Sequence, residues 1–211
     1  MSGIYVFDLD GVLIDSMARY ESGTLRVLDE EGIAYDAQLI KFLTPLGYTK
    51  TAEYYVNTMG VKGSVESVVR RLEENLLYEY TYNIVLKPFV REFITKLKTQ
   101  GAKVYVLTAS PHLVTDVCLK RNGLFDAFDR VWSVEDFGLS KTQTKLFETV
   151  AEEIGCSTQD IHFFDDNLIA IQTARKAGCI TYGVYDRQDA SDASLLKAAA
   201  EHYVTSFGEL L

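Results

Sequence analysis

Two carboxylates stand two residues apart in Phe7-Asp8-Leu9-Asp10-Gly11-Val12. The apolar run before them reads as a strand, so both fall at its carboxyl end, where an open α/β sheet presents its ligand site. The glycine that follows permits a sharp turn there. One carboxylate of such a pair can attack an electrophile while the other moves a proton, provided their environments differ. An acidic turn with a helix cap would use the same residues.

Three later segments carry groups that suit an anionic substrate. Thr108-Ala109-Ser110-Pro111 follows another apolar run. A hydroxyl there can donate to a phosphoryl oxygen, and Ser110 and Pro111 read as the N-cap and first residue of a helix whose amides face the anion. The same four residues would also serve as a plain capped helix start. Lys141 reads as opening a further helix, where the dipole disfavours a cation, so a nearby anion accounts for it better than helix stability does. Lys145, one turn later, is a rival for that role, and a solvated surface lysine is the bland alternative. Asp165-Asp166-Asn167 ends a fourth run. Adjacent carboxylates repel unless a cation is present, and hard oxygen donors suit Mg²⁺.

The elements that must hold these groups follow from periodicity. Short apolar runs at 4–7, 103–107, 130–132, 161–164 and 180–184 read as buried strands of a parallel sheet. Amphipathic stretches lie between them, such as Phe89, Phe93, Ile94 and Leu97, or Leu146, Phe147, Val150, Ala151 and Ile154. The alternation predicts a doubly wound α/β fold. The stretch 16–86 has helical patterns and no convincing strand, and it is too long for a simple crossover. Pro45, Gly47, Gly60 and Gly63 divide it into about four helices. The expected organisation is an α/β core at 1–15 and 87–211 with a helical cap at 16–86, lying over the carboxyl ends of the strands.

Composition narrows the partners. A formal net charge of -9 argues against nucleic-acid binding, which needs clustered Lys and Arg. It does not exclude a phosphorylated substrate, because a metal and backbone amides can make a local positive pocket. The three cysteines are odd in number and widely spaced, so neither a disulfide framework nor a zinc site is expected, and a reducing cytoplasm fits. Cys118 and Cys179 read as core, and His112, His162 and His202 are too scattered for a metal set. No leader and no membrane-spanning segment is evident, so the chain reads as cytoplasmic.

Taken in order, FDLDGVLID, VLTAS, LSK and FFDDN resemble the four motifs of the haloacid dehalogenase (HAD) superfamily, and the resemblance covers essentially the whole chain. The helical insertion after the first motif is similar to the cap of its phosphoglycolate phosphatase and β-phosphoglucomutase branch. The resemblance implies a magnesium-dependent phosphatase acting on a small phosphorylated metabolite. It makes Asp8 the nucleophile that forms an aspartyl-phosphate and Asp10 the general acid, then base. It implies Mg²⁺ held by Asp8, the backbone carbonyl of Asp10 and Asp166. Asp165 stands where relatives often place Glu or Gly and receives a lesser, water-mediated role. Thr108, the Ala109 amide and Lys141 would hold the phosphoryl group. Leu46-Gly47-Tyr48-Thr49-Lys50 resembles the loop that such caps point into the site, which makes Tyr48 and Lys50 the substrate-contacting candidates, with Arg70 and Arg71 as further cations.

Asp10 argues for phosphoryl transfer over dehalogenation within that superfamily. The mutase shares these motifs, but its cap carries a His where this chain has Tyr20, so hydrolysis is favoured. A receiver-type signalling module also combines strand-end carboxylates, Mg²⁺, Thr and Lys. It places its acceptor on the third strand and lacks so large an insertion. Neither nucleic acid nor membrane is expected as a partner, and the assembly is a monomer or dimer.

Overall fold

The computed structural model of the chain describes residues 3–36, 38–43, 46–186 and 193–211. The chain divides into two compact units, 1–15 with 85–211, and 16–84. Among the described residues, no helix is long and apolar enough to cross a membrane.

The first unit is built on six parallel strands: β1 (Ile4–Phe7), β2 (Lys103–Thr108), β3 (Arg130–Ser133), β4 (Ile161–Asp165), β5 (Ile180–Val184) and β6 (His202–Val204). Their spatial order is β3-β2-β1-β4-β5-β6. The chain therefore winds outward from β1 in one direction, then returns to β4 on its other side. The strand order reverses between β1 and β4, and in open α/β sheets ligands bind outside the carboxyl ends of the strands at such a switch point. The register sets Phe7 beside Val106 and Phe164, so Asp8, Thr108 and Asp165 emerge at nearly the same level. β6 is the one strand not expected from the sequence. Three residues are too few to display an alternation.

Side chains alternate between two buried faces. Val6, Leu107 and Phe163 pack with Leu146, Phe147, Val150 and Ile171. These come from α7 (Thr144–Ile154) and α8 (Leu168–Lys176). On the other face Phe7 stacks on Phe164 at 4.6 Å and meets Phe93 edge-on at 6.2 Å, while Phe93 and Phe207 lie 5.4 Å apart. Burying each such ring stabilises the fold by about 1.5–3 kcal/mol. Phe93 lies on α5 (Val90–Thr99). Phe89, expected on the same apolar stripe, instead precedes the helix at φ 66° and is half exposed. The stripe thus begins at Val90.

A ring ladder crosses the sheet below this aromatic core. His162 stacks on Tyr5 at 4.7 Å and lies 5.8 Å from Tyr182, and its Nδ1 is buried without a hydrogen-bonding partner. Burial first, and His202 second, hold its pKa below the usual imidazole value, against a smaller opposing effect of Glu201. The folded state therefore binds the proton less well than the unfolded chain does. The stability from neutral His162 is fully present above about pH 6.5 and is lost as pH falls through the lowered folded value. Urea midpoints should consequently drop further between pH 7.5 and 5.5 for the wild type than for His162→Phe. Equal drops would show that His162 does not titrate with unfolding.

The second unit consists, among the described residues, of α1 (Met17–Glu31), α2 (Leu39–Leu43), α3 (Gly47–Tyr54) and α4 (Val65–Tyr82), with one wider π turn continuing α3 through Tyr55–Met59. Pro45 lies outside the described residues. Gly60, at φ 78°, stops the third helix in a left-handed cap that suits glycine. Val27, Leu28, Tyr55, Val68 and Leu72 form the unit's core. The Tyr55 hydroxyl donates to the Thr24 carbonyl at 3.0 Å. Glu79, buried on α4, is neutralised by Arg26 at 2.6 Å and accepts from Asn83 at 2.8 Å, as a buried carboxylate requires.

Candidate active site

The loop after β1 is fixed by its own backbone. The amides of Val12, Leu13 and Ile14 all converge on the Leu9 carbonyl at 2.9–3.3 Å, and the Gly11 amide donates to the Ile14 carbonyl at 3.2 Å. Gly11 sits at φ 71°, and a Cβ there would lie 1.9 Å from Asp166 Oδ2. Only glycine lets the loop and Asp166 approach so closely. Lys87 ties the loop down from below: Nζ donates to the Gly11 carbonyl, to the Tyr185 carbonyl at 3.1 Å, and to Asp186 Oδ2 at 2.7 Å. Neither Lys87 nor Asp186 was anticipated. The available signal was a carboxylate just beyond the carboxyl end of β5, the position that had drawn attention in β1 and β4.

Asp8 is 8% exposed. Its Oδ1 lies 2.6 Å from Lys141 Nζ. Burial raises its pKa to about 7, Lys141 works in the opposite direction, and Asp165 and Asp10 add to the rise. The same Lys141 Nζ reaches Asp165 Oδ2 at 2.8 Å. Burial disfavours the ammonium, but Asp165 and Asp8 outweigh it and hold Lys141 protonated. Lys141 does not open a helix, as the sequence suggested. It lies in the turn before α7, whose N-cap is Gln143, so the two carboxylates rather than the helix dipole account for it. Its rival Lys145 is largely exposed and pairs with Glu148 at 3.6 Å and Glu152 at 3.5 Å.

Thr108 is buried at the end of β2, and its Oγ1 accepts the Ser110 amide at 3.0 Å. The hydroxyl proton can then be given to an anion. Ala109 follows it, exposed. Ser110 is not the helix cap it was expected to be. The N-cap is Pro111, α6 (His112–Arg121) starts one residue later, and the Ser110 hydroxyl donates to Asp10 Oδ2 at 2.6 Å. The carboxylate from β1 outcompetes the helix end because the hydrogen bond to it is charge-assisted.

At the end of β4, Asp165 is fully buried, and its Oδ1 accepts the Asn167 amide at 2.8 Å. Asn167 in turn caps α8 by accepting from Ile169 and Ala170 at 3.0 and 3.1 Å. Asp165 anchors Lys141 together with Asp8. Asp8, Asp165 and Asp166 each offer a carboxylate oxygen within 4.8 Å of the others. Lys141 contacts two of the three, Asp8 and Asp165. Hard oxygen donors in that arrangement fit Mg²⁺.

The other sequence candidates have the following local surroundings. Tyr48 and Lys50 are on α3 of the second unit, in a helix where a loop was expected. Tyr48 packs 6.4 Å from Tyr20, and Lys50 is exposed. Arg71 is engaged by Glu31 at 2.6 Å and Glu30 at 3.0 Å, which makes it a bracket within its own unit, while Arg70 is exposed. His112 is held by Asp136 at 3.0 Å and Asp116 at 3.3 Å.

The sequence pattern of the family described as haloacid dehalogenase-like hydrolase matches residues 5–184. A phosphorylated carbohydrates phosphatase from Thermotoga maritima is 24% identical over 196 residues, covering 92% of this chain and 90% of that protein. Hexitol phosphatase B from Escherichia coli is 27% identical, covering 81% of this chain and 79% of its own. Among solved structures, a proposed β-phosphoglucomutase from Thermotoga maritima superposes with a TM-score of 0.85 at 23% identity, over 96% of this chain and 94% of the other. With a parallel sheet of this order and carboxylates at the ends of β1 and β4, the chain belongs to the haloacid dehalogenase-like hydrolase family.

Proposed function

We propose that the protein is a Mg²⁺-dependent phosphatase that hydrolyses a small phosphomonoester through an aspartyl-phosphate on Asp8. The observation that carries this reading is the unequal placing of the two β1 carboxylates. Asp8 is buried against Lys141 and two further carboxylates, whereas Asp10 is held separately by Ser110. One is set to receive a phosphoryl group and the other to move a proton.

Asp8 attacks phosphorus while Asp10 protonates the departing oxygen. Asp10 then removes a proton from water, which attacks the acyl phosphate, releases phosphate and regenerates Asp8. Lys141, the Thr108 hydroxyl and the Ala109 amide hold the outer phosphoryl oxygens, where charge is spread during transfer. Asp8, the Asp10 carbonyl and Asp166 would hold Mg²⁺, which when bound would neutralise charge on those oxygens and favour the ionised form of Asp8. Asp165 orients Lys141. The second unit is proposed to act as the cap that selects the substrate, with Tyr48 and Lys50 as contacts. The named activities of the relatives favour a phosphorylated sugar or polyol. Tyr20, in the position where the mutase has a His, supports hydrolysis by water.

Two measurements test the reading. Exhaustive chelation should abolish turnover of a chromogenic phosphate ester, and Mg²⁺ but not Ca²⁺ should restore it, because Ca²⁺ relaxes the compact geometry that in-line attack needs. Asp10→Asn should slow turnover by about a hundredfold or more and accumulate a phosphoryl group on Asp8, seen by mass spectrometry after rapid quenching. Turnover without metal, or a label on another residue, removes the proposal. A single stoichiometric burst by the wild type would indicate a signalling switch instead.

A further inference from the structure

We infer that Ser110 is the positioning residue for Asp10, holding its carboxylate in the orientation from which it donates and then accepts the proton. The inference rests on the acid/base role proposed for Asp10. Three observations support it. The Ser110 Oγ to Asp10 Oδ2 distance of 2.6 Å is that of a strong, charge-assisted hydrogen bond. The Ser110 side chain is itself aimed, since its amide is bound by Thr108 Oγ1 at 3.0 Å and its carbonyl accepts from the buried Thr115 hydroxyl at 3.5 Å. The residue that follows, Pro111, takes the N-cap of α6 with no side-chain hydrogen bond, so the hydroxyl serves Asp10 rather than the helix end.

A hydroxyl suits this task better than an amide or ammonium. It can donate to a carboxylate and accept from a carboxylic acid, so one contact persists in both protonation states of the cycle. A fixed charge such as Lys would favour the carboxylate and oppose the acid step. The backbone of Asp10 is set by its bridge to Ile14, and the Ser110 contact restrains the carboxylate torsion. Small misplacements of a reacting group are enough to slow catalysis severely.

The test is a double-mutant cycle on the Mg²⁺-loaded full chain with 4-nitrophenyl phosphate as substrate. Ser110→Ala should lower kcat by about tenfold or more, part of what general acid/base catalysis supplies, while KM and the inhibition constant of inorganic phosphate stay within about twofold. Ser110→Thr, which keeps the hydroxyl, should recover most of the loss. In an Asp10→Asn background, Ser110→Ala should cause no further loss. Equal losses in both backgrounds, or a raised KM with unchanged kcat, would overturn the inference and place Ser110 on the substrate instead. Normal turnover by Asp10→Asn alone would overturn the acid/base reading and the inference with it, an outcome distinct from additivity.

Discussion

Asp8→Asn is expected to lower kcat/KM by on the order of 10⁴-fold or more and to leave no phosphoenzyme under any substrate concentration. The amide is nearly isosteric with the carboxylate, so the loss reports the missing nucleophile rather than a collapsed site. Stability should move the other way. The folded pKa of Asp8 is raised to about 7 from an ordinary 3.8, chiefly by burial. The folded state then holds the proton more tightly than the unfolded chain, and the stability contributed by protonated Asp8 declines as pH rises from about 4 through 7. A neutral Asn avoids that decline. At pH 7 in chelator, Asp8→Asn should therefore be at least as resistant to urea as the wild type, a function-for-stability exchange common at charged sites. A variant less stable than the wild type in chelator would mean that the Lys141 contact outweighs the burial of the Asp8 charge.

Lys141→Met should be damaging in both respects. Removing one group that stabilises developing charge costs about 10²–10³-fold in kcat, and Lys141 also touches the nucleophile at 2.6 Å. Its loss leaves Asp165, which is fully buried, without its ammonium partner. Breaking a buried pair in this way destabilises by about 3–5 kcal/mol. Added Mg²⁺ should return part of that stability in the variant, because it supplies positive charge to the same carboxylates. Lys145→Met is the control, being exposed and paired only at the surface, and it should change neither urea midpoint nor turnover appreciably. If the two lysine variants behave alike, the bridge between Asp8 and Asp165 carries no energetic weight.

The features legible in the sequence are those set by near neighbours along the chain. A buried strand must be apolar on both faces, so 4–7, 103–107 and 161–164 declare themselves. A glycine after Asp10 marks a turn whatever the rest of the fold does. Carboxylates and hydroxyls just beyond such runs fall at strand ends by construction, which is why order and spacing put Asp8, Asp10, Thr108 and Asp165 there.

The remaining features depend on strand order, which no local pattern encodes. The LSK motif favours Lys141 over its rival Lys145, but the contacts that hold it come from the adjacency of β1 and β4, which places two carboxylates within 2.8 Å of one ammonium. Ser110 reads as a helix cap until β2 is laid beside β1 and Asp10 becomes its better acceptor. Lys87 and Asp186, distant in sequence and 2.7 Å apart in space, have no joint signature at all. Phe89 fits the apolar stripe by spacing, but a left-handed backbone removes it, and the three residues of β6 are too short to show a period. The sequence by itself determined which chemical groups are present and which end of the sheet they occupy, because strand and turn propensities act over a few residues. The tertiary structure alone decided which groups meet, because each contact between strands depends on pairings made across a hundred residues of chain.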